Sequence, residues 1–507
     1  TFIVRRLIAS IFIFLAATYL MYILTALSGD PLEDLRTSTA PNKQQLIEAR
    51  TALLHLDVPP YLRYFIWIAG VGKCFIGQCD LGVTVQNQPV TVLLAQAAGS
   101  TLQLVTIASV IAIILGLVVG ITTALRQYSG YDYGVTFLSF LFFSLPIFWV
   151  AVLLKQFVAI GFNDFLSDPQ IAPWIIPILA VISGLIWMSI LPGKGRRKLI
   201  TFAAAALASA AVIIYMDLSD WFSYPHIGIV GVALTLVGAA FGVTTISTGL
   251  KNRRALYASL VVAGIGVAAW YPFIYFTTGL PFWGWIGIGV ATVLVALAVG
   301  WFMGGDDRRP VARTAAIVGF VAFSVLSLDR FMQVWDDYAN SGRIKGRPIA
   351  TIGSGTPGLE GSLWVHGVDL FTHLLLPTLA LILISFATYT RYSRASLLEV
   401  MNQDYIRTAR AKGLTERTVV VRHAFRNALI PIATIVAFDI GGIIGGAVIT
   451  ERVFGWTGMG ALFQNGLDHV DPNPVMAFFL VTGSLAILFN LIADLVYAGL
   501  DPRIRVS

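Results

Sequence analysis

Two thiols and six imidazoles are the side chains of this 507-residue sequence best suited to chemistry, and their spacing points away from catalysis. Cys74 and Cys79 stand in KCFIGQCDLG. A disulfide closing a small loop around Gly77 is favoured there over free thiols, because a reduced pair on an oxidising side is open to mispairing. A metal site is disfavoured, since no third ligand joins the cysteines and His55, His226, His366, His373, His423 and His469 are scattered without ligand spacing. No glycine-rich phosphate loop ending in Gly-Lys-Ser/Thr occurs; the nearest string, PGKGRRK at 192–198, lacks both the spacing and the hydroxyl. His-Glu-x-x-His and a serine elbow are likewise missing from the sequence, and no carboxylates pair at helical spacing on a membrane face. No catalytic residue, metal site or cofactor is expected on this chain, and any chemical energy it uses must come from another one.

The elements around these residues are set by composition. Hydrophobic residues make up 57% of the chain and charged residues 12%, with a mean hydropathy of +0.79, far from the roughly 45–50% and 25% of a soluble domain. An all-α polytopic membrane protein is expected. A helix needs about 20 apolar residues to span the hydrocarbon, and twelve runs qualify, near 7–27, 100–124, 133–161, 174–192, 199–217, 227–249, 255–277, 284–304, 314–328, 371–391, 431–450 and 474–499. The first run follows Arg5 and Arg6 but lacks a cleavage site, so it reads as a retained helix rather than a secretion signal. Helical spans belong to a cytoplasmic membrane rather than a barrel-type outer membrane.

Charge tests this count. With both termini cytoplasmic, the inside loops hold Arg5 and Arg6; Arg126; Lys194, Arg196, Arg197 and Lys198; Lys251, Arg253 and Arg254; Arg308, Arg309 and Arg313; eight residues between 391 and 431; and Arg503 and Arg505. That is 23 of the 34 basic residues, while 18 of the 27 acids fall outside, as the positive-inside rule requires. The net charge of +7 is then anchoring to the inner leaflet, and no basic soluble domain supports nucleic-acid binding.

Two polar stretches interrupt the apolar runs. Residues 28–99 mix prolines with aromatics and read as a folded external lobe, which either contacts a partner or pathway mouth or only caps the helices. Residues 329–370, rich in Gly, Ser and Thr, read as an irregular external loop.

Within the spans, Asp439, Asn490 and Asp494 would be costly in lipid and should face protein or water. Asp439 is a candidate for a pathway, Asn490 and Asp494 for interhelical hydrogen bonds. Gly116/Gly120, Gly441/Gly445 and Gly442/Gly446 have the spacing for close helix contact, a weak signal in a chain with 47 glycines. Pro146 and Pro377 are expected to bend their helices.

The segment from Arg391 to Pro431 carries eight basic residues and three acids between two spanning runs, the pattern of a docking element at a bilayer surface. Residues 397–412 suit a helix, Gly413 stops it, and Thr415 stands as N-cap of a second helix through His423 to Leu429, with Pro431 fitting the first turn of the next span. Helix, glycine turn, helix gives a short rigid prong that can transmit motion.

DYIRTARAKGLTERTVVVRHAFRNALIP within this segment resembles the EAA loop of bacterial ABC importer permeases, in the version typical of dipeptide and oligopeptide permeases. It departs from the name-giving pattern where Arg407 and Thr408 replace glutamate and the first alanine, leaving Ala409. FLSFLFFSLPIFWVAVLLKQFVAI (137–160), THLLLPTLALIL (372–383), GGAVITERVFGWTGMGALF (445–463), NLIADLVYAGLDPRIR (490–505) and the Gly-Asp-Pro at 29–31 extend the resemblance.

The resemblance implies a type I importer permease core of six helices in the cytoplasmic membrane of a bacterium. Its expected partners are a second homologous permease, two ATPase subunits holding ATP and Mg, an extracytoplasmic binding protein, a peptide substrate and the lipid bilayer, with no nucleic acid. It assigns ATPase coupling to Asp404, Arg407, Thr408, Ala409, Lys412, Gly413, Leu414, Arg422, His423, Arg426, Asn427 and Pro431 in a loop over 392–430. The same machinery moving nickel or haem is the alternative substrate reading, and an ion-coupled secondary transporter the alternative class. The latter calls for inverted repeats and a mid-membrane cluster of ionisable groups, of which the sequence offers only Asp439. Core halves are expected at 1–164 and 346–507. Residues 165–345, with about six helices rich in Gly, Ala and Val, read as an inserted bundle packing against the core in preference to a second transport path.

Overall fold

The computed structural model describes residues 2–191 and 193–500, the side chains of 2–7, 417, 430, 434, 437–438, 440–446 and 493–500 excepted. Arg503 and Arg505 therefore lie outside the described residues, as do the side chains of Arg5, Arg6 and Asp494 and the packing of the 441–446 glycine pairs. Among the described residues the named elements are helical, with one isolated antiparallel bridge between Val83 and Pro89. Nine helices among the described residues are long and apolar enough to cross a membrane, and Arg253–Ala268 with Trp270–Phe276, bent by 45°, makes a tenth. The two other expected runs form Ile175–Ile190, of 16 residues, and Phe425–Phe454, whose side chains are described only in part. Near 133–161 a single span was expected; Gly130–Ser144 instead ends before Pro146, and a new span runs over Ile147–Ser167. Proline favours extended backbone in the residue before it, here Leu145, which breaks the helix rather than bending it. Pro377 lies inside the unbroken Leu363–Met401 helix.

Contacts divide the chain into two compact units. The first comprises 1–158, 351–354 and 374–507; the second, 159–350 and 355–373. In the first unit, Val90–Leu125 packs on the later part of Leu363–Met401. A Cβ on Gly116 would lie 2.4 Å from the Tyr389 Cβ, and one on Gly120 would lie 2.6 Å from the Ser393 Cβ. Lipid provides no hydrophobic drive between helices, so such close backbone packing by small residues holds them together.

Near the N-terminal helix, Tyr19 and Tyr22 meet Tyr64 edge to face, Trp67 lies tilted against Tyr64, and the Thr18 and Tyr64 hydroxyls are 2.9 Å apart. The 28–99 lobe holds Glu33–Thr37, Lys43–Leu53 and Pro60–Gly72. Cys74 and Cys79 form a disulfide there. The Asp471 carboxylate accepts from Val85 N at 2.8 Å, and Asn473 Nδ2 donates to Val83 O at 2.7 Å, which fastens the end of the lobe to the start of the last helix.

In the second unit, Val232, Leu236, Ala263, Phe273, Phe323, Leu326 and Trp364 form one core. Asp329, fully buried on Arg308–Gln333, accepts from Ile227 N, Gly228 N, Trp270 Nε1 and Gln333 Nε2 at 2.6–3.1 Å. Four donors satisfy this carboxylate, so its role is to hold helices together.

Candidate functional site: the loop around Gly413

The segment after Leu363–Met401 is where sequence chemistry and geometry meet. That helix ends where Asn402 Nδ2 donates back to Leu398 O at 3.1 Å, and Gln403, extended at φ −73° and ψ 150°, starts a separate helix, Asp404–Ala411. The helix expected over 397–412 is thus two, broken at Asn402–Gln403. Asp404 in its first turn and Arg410 in its last complement the helix dipole. Ile406 and Ala409, one turn apart, point the same way and pack with Leu397, Val419, Ala424, Ala428 and Ala124.

Gly413 follows at φ +78°, with nothing within 4 Å of where a Cβ would sit. The left-handed conformation selects glycine here. Thr415 caps the next turn by accepting from Thr418 N at 3.4 Å, and the helix continues through a π-turn, Val419–Ala424, into Phe425–Phe454. Pro431 therefore lies inside that helix, not in its first turn, because the helix starts upstream of the span.

Three contacts stiffen the prong. Arg410 forks onto Glu416 across the Gly413 turn, Nη2 to Oε1 at 2.7 Å and Nε to Oε2 at 3.2 Å. This guanidinium holds the Glu416 carboxyl below the usual carboxylate range. Asn427 Nδ2 donates to the Tyr405 hydroxyl at 3.0 Å, tying the two helical arms together. Ser396 Oγ donates to Ala428 O at 2.9 Å. At the base, Arg394 forks onto Asp132 at 2.9 and 3.0 Å, and Asp132, buried in the first turn of Gly130–Ser144, also accepts from Tyr128 N.

The expected coupling residues sort by exposure. Asp404, Arg407, Thr408, Lys412, Gly413, Leu414, Arg422, Arg426 and Pro431 are exposed, while His423 and Asn427 are half-buried. Arg407 pairs with Asp404 at 3.4 Å. Ala409 is the correction: its side chain is spent inside the prong's own packing and is not presented to a partner. A groove of about 680 Å³ beside the loop is lined by Leu398, Met401, Asn402, Arg410, Glu416, Val420 and Val421 among others.

Away from the loop, Asp439 is half-buried on Phe425–Phe454 beside the buried Tyr389 phenol. Asn490 is half-buried on Pro472–Leu500 without a described side-chain hydrogen bond, so the interhelical bond expected of it is not seen. Sequence reasoning missed Asp132, 262 positions from Arg394, for which no local signal exists. It also missed Glu416, whose position three beyond Gly413 could have suggested a bridge.

The chain matches the family described as binding-protein-dependent transport system inner membrane component over residues 112–506. The oligopeptide transport system permease protein of Mycobacterium tuberculosis is 26% identical over 506 residues, covering 100% of this chain and 99% of that one. An oligopeptide transport system permease protein of Bacillus subtilis is 45% identical over 137 residues, 27% of this chain and 43% of the relative, which is thus the shorter protein. The dipeptide transport system permease protein of Escherichia coli is 41% identical over 138 residues, 27% of this chain and 41% of its own. The chain belongs to the binding-protein-dependent inner membrane component family: it is a multi-pass protein of the cytoplasmic membrane, a permease part rather than an enzyme, working in a complex with an ATPase and a binding protein.

Proposed function

We propose that this member of the binding-protein-dependent family is one of two homologous permease subunits of an ATP-driven peptide importer, with residues 391–431 as its coupling element to one of two ATPase chains. Peptide is the substrate class named for the Mycobacterium, Bacillus and Escherichia relatives. The observation that carries the coupling role is the braced prong around Gly413, which presents Asp404, Arg407, Lys412 and Leu414 to solvent and continues into Phe425–Phe454. The neighbouring groove, apolar along Leu398, Met401 and Val420 and charged at Arg410 and Glu416, offers a seat for a projecting partner side chain.

ATP and Mg belong to the partner chains, and both termini lie on their side of the membrane. ATP binding draws the two ATPases together, the prong moves with them, and the adjoining helices tilt to open the pathway outward toward the binding protein; hydrolysis reverses the tilt. Asp439 beside Tyr389 is the polar site along that pathway. Residues 165–345 are an insertion into the permease core, a reading supported by the shorter Bacillus and Escherichia relatives. Co-purification tests the assembly: a tagged chain should bring down two ATPase chains and a second permease, and a chain that runs alone and transports with a proton gradient contradicts it.

A further inference from the structure

We infer that the second unit carries a binding site for one anionic phospholipid, an acyl chain in an aromatic cavity and the headgroup phosphate on Arg343, Lys345 and Arg347. The cavity, about 420 Å³, is lined by apolar side chains that include Phe162, Phe222, Leu328, Trp335 and Ile349. Trp221 also lines it, and its one polar group is already satisfied, Nε1 donating to His226 O at 2.8 Å. A cavity walled almost wholly by hydrocarbon and aromatic groups selects a hydrocarbon ligand, and in a multi-pass membrane protein the abundant hydrocarbon is a lipid chain.

The cavity lies at one end of the bundle. Trp221 and Phe222 sit in the turn between Arg196–Leu218 and Gly228–Ser247, Leu328 is in the last turns of Arg308–Gln333, and Trp335 is just beyond it. Charge patterning assigns that end to the outside, at the interfacial depth where aromatic belts collect.

The headgroup argument is independent of the cavity. Only 11 of the 34 basic residues are assigned outside, yet Arg343, Lys345 and Arg347 crowd into five positions there. Such a cluster runs against the positive-inside rule and calls for a compensating anion. All three are exposed. Arg347 meets Asp164 only at 3.6 Å, and no described carboxylate pairs with Arg343 or Lys345.

The backbone holds the last residue of this cluster near the cavity, with Lys345 and Arg343 two and four positions earlier in the sequence. Asn163 Nδ2 donates to Ile349 O, and Ile349 N donates to Asn163 Oδ1, both at 2.9 Å. That reciprocal pair keeps Ile349 next to Phe162, and thereby Arg347, two residues earlier, beside the opening. Apolar cavity and cationic rim together match a phosphodiester lipid with a net negative charge.

Native mass spectrometry of the full-length chain with its partners tests this, using phosphatidylglycerol and phosphatidylcholine of identical acyl chains. The wild type should retain phosphatidylglycerol with a preference on the order of tenfold, the scale expected of a few interfacial cations. Arg343→Gln/Lys345→Gln/Arg347→Gln should lose the preference. Leu328→Trp, at a half-exposed lining position, should fill the cavity and reduce retention of both lipids. Equal retention of the two lipids by the wild type overturns the inference, as does unchanged phosphatidylglycerol retention in both variants. Loss of binding-protein capture in the triple variant with lipid retention intact would give the cations to a protein partner instead, and also overturns it.

Discussion

Arg410 and Glu416 close the Gly413 turn with two parallel hydrogen bonds, at 2.7 and 3.2 Å, between residues on its opposite sides. Both side chains are well exposed, so the pair adds little to global stability, about 0–1 kcal/mol. Its effect is geometric: the fork fixes the angle between the arms of the prong. Glu416→Gln should leave thermal unfolding within a few degrees of wild type while lowering the peptide moved per ATP hydrolysed, and Arg410→Ala should do the same. The low carboxyl pKa gives the sign with pH. The bridge is complete above the ordinary carboxylate range and is lost as pH falls through the lowered value. Transport-to-hydrolysis ratios should therefore hold across mildly acidic pH and fall only below the ordinary carboxylate range.

Gly413 is constrained by conformation and not by space, since φ is +78° with no neighbour within 4 Å of a Cβ. Gly413→Val should strain the turn by about 1–2 kcal/mol, detach the ATPase and abolish coupled transport. Gly413→Asn, which tolerates the left-handed region, should retain most of both. Co-purified ATPase read beside transport separates the two variants, and a valine variant that matches wild type contradicts the account.

At the base of the prong, Asp132 is buried and depends on Arg394 for its charge balance. Arg394→Ala should destabilise by about 1–3 kcal/mol, the scale for leaving a buried polar group short of a partner, since Arg394 is partly exposed and Asp132 keeps Tyr128 N, and Arg394→Lys should recover part of that as a point charge without the fork. Asp132→Asn/Arg394→Gln, with no charge left to strand, should be more stable than Arg394→Ala. Thermal unfolding in a fixed detergent orders the three.

Asp471 gives a pH signature just ahead of the last helix. Burial pushes its carboxyl up to about 6, against the hydrogen bonds from Val85 and Asn473 that favour the ionised form. The folded state therefore binds the proton more tightly than the unfolded state, whose value is near 3.8. From this group, stability is lowest above pH 6, rises as pH falls between 6 and 3.8, and is flat below, by up to about 3 kcal/mol in all. Asp471→Asn should flatten that slope in unfolding measured from pH 4 to 7.

Much of this was legible in residue order. The spanning helices follow from apolar length and the alternation of basic loops, and the Gly413 turn with its Thr415 cap from local stereochemistry. What escaped depends on long-range placement. Ala409 is small enough to suit a docking face or a packed one, and only the positions of Leu397 and Ala428 decide between them. Asn402–Gln403 ends one helix and starts another within a stretch of good helix formers, and Asp132 with Arg394 is a tertiary pair. Pro431 fell inside its helix because the coupling arm and the span form one continuous rod, which apolar length alone does not mark.

The central claim is that the prong around Gly413 touches the ATPase, and site-directed cross-linking tests it most directly. Lys412→Cys and Leu414→Cys place single reactive thiols on its exposed tip, since Cys74 and Cys79 are bonded to each other. Both should cross-link to the ATPase chain, with a yield that changes when ATP is added, while Lys251→Cys, in a basic loop of the second unit, should not. Absent cross-links from the tip, or equal yields from position 251, would contradict the account.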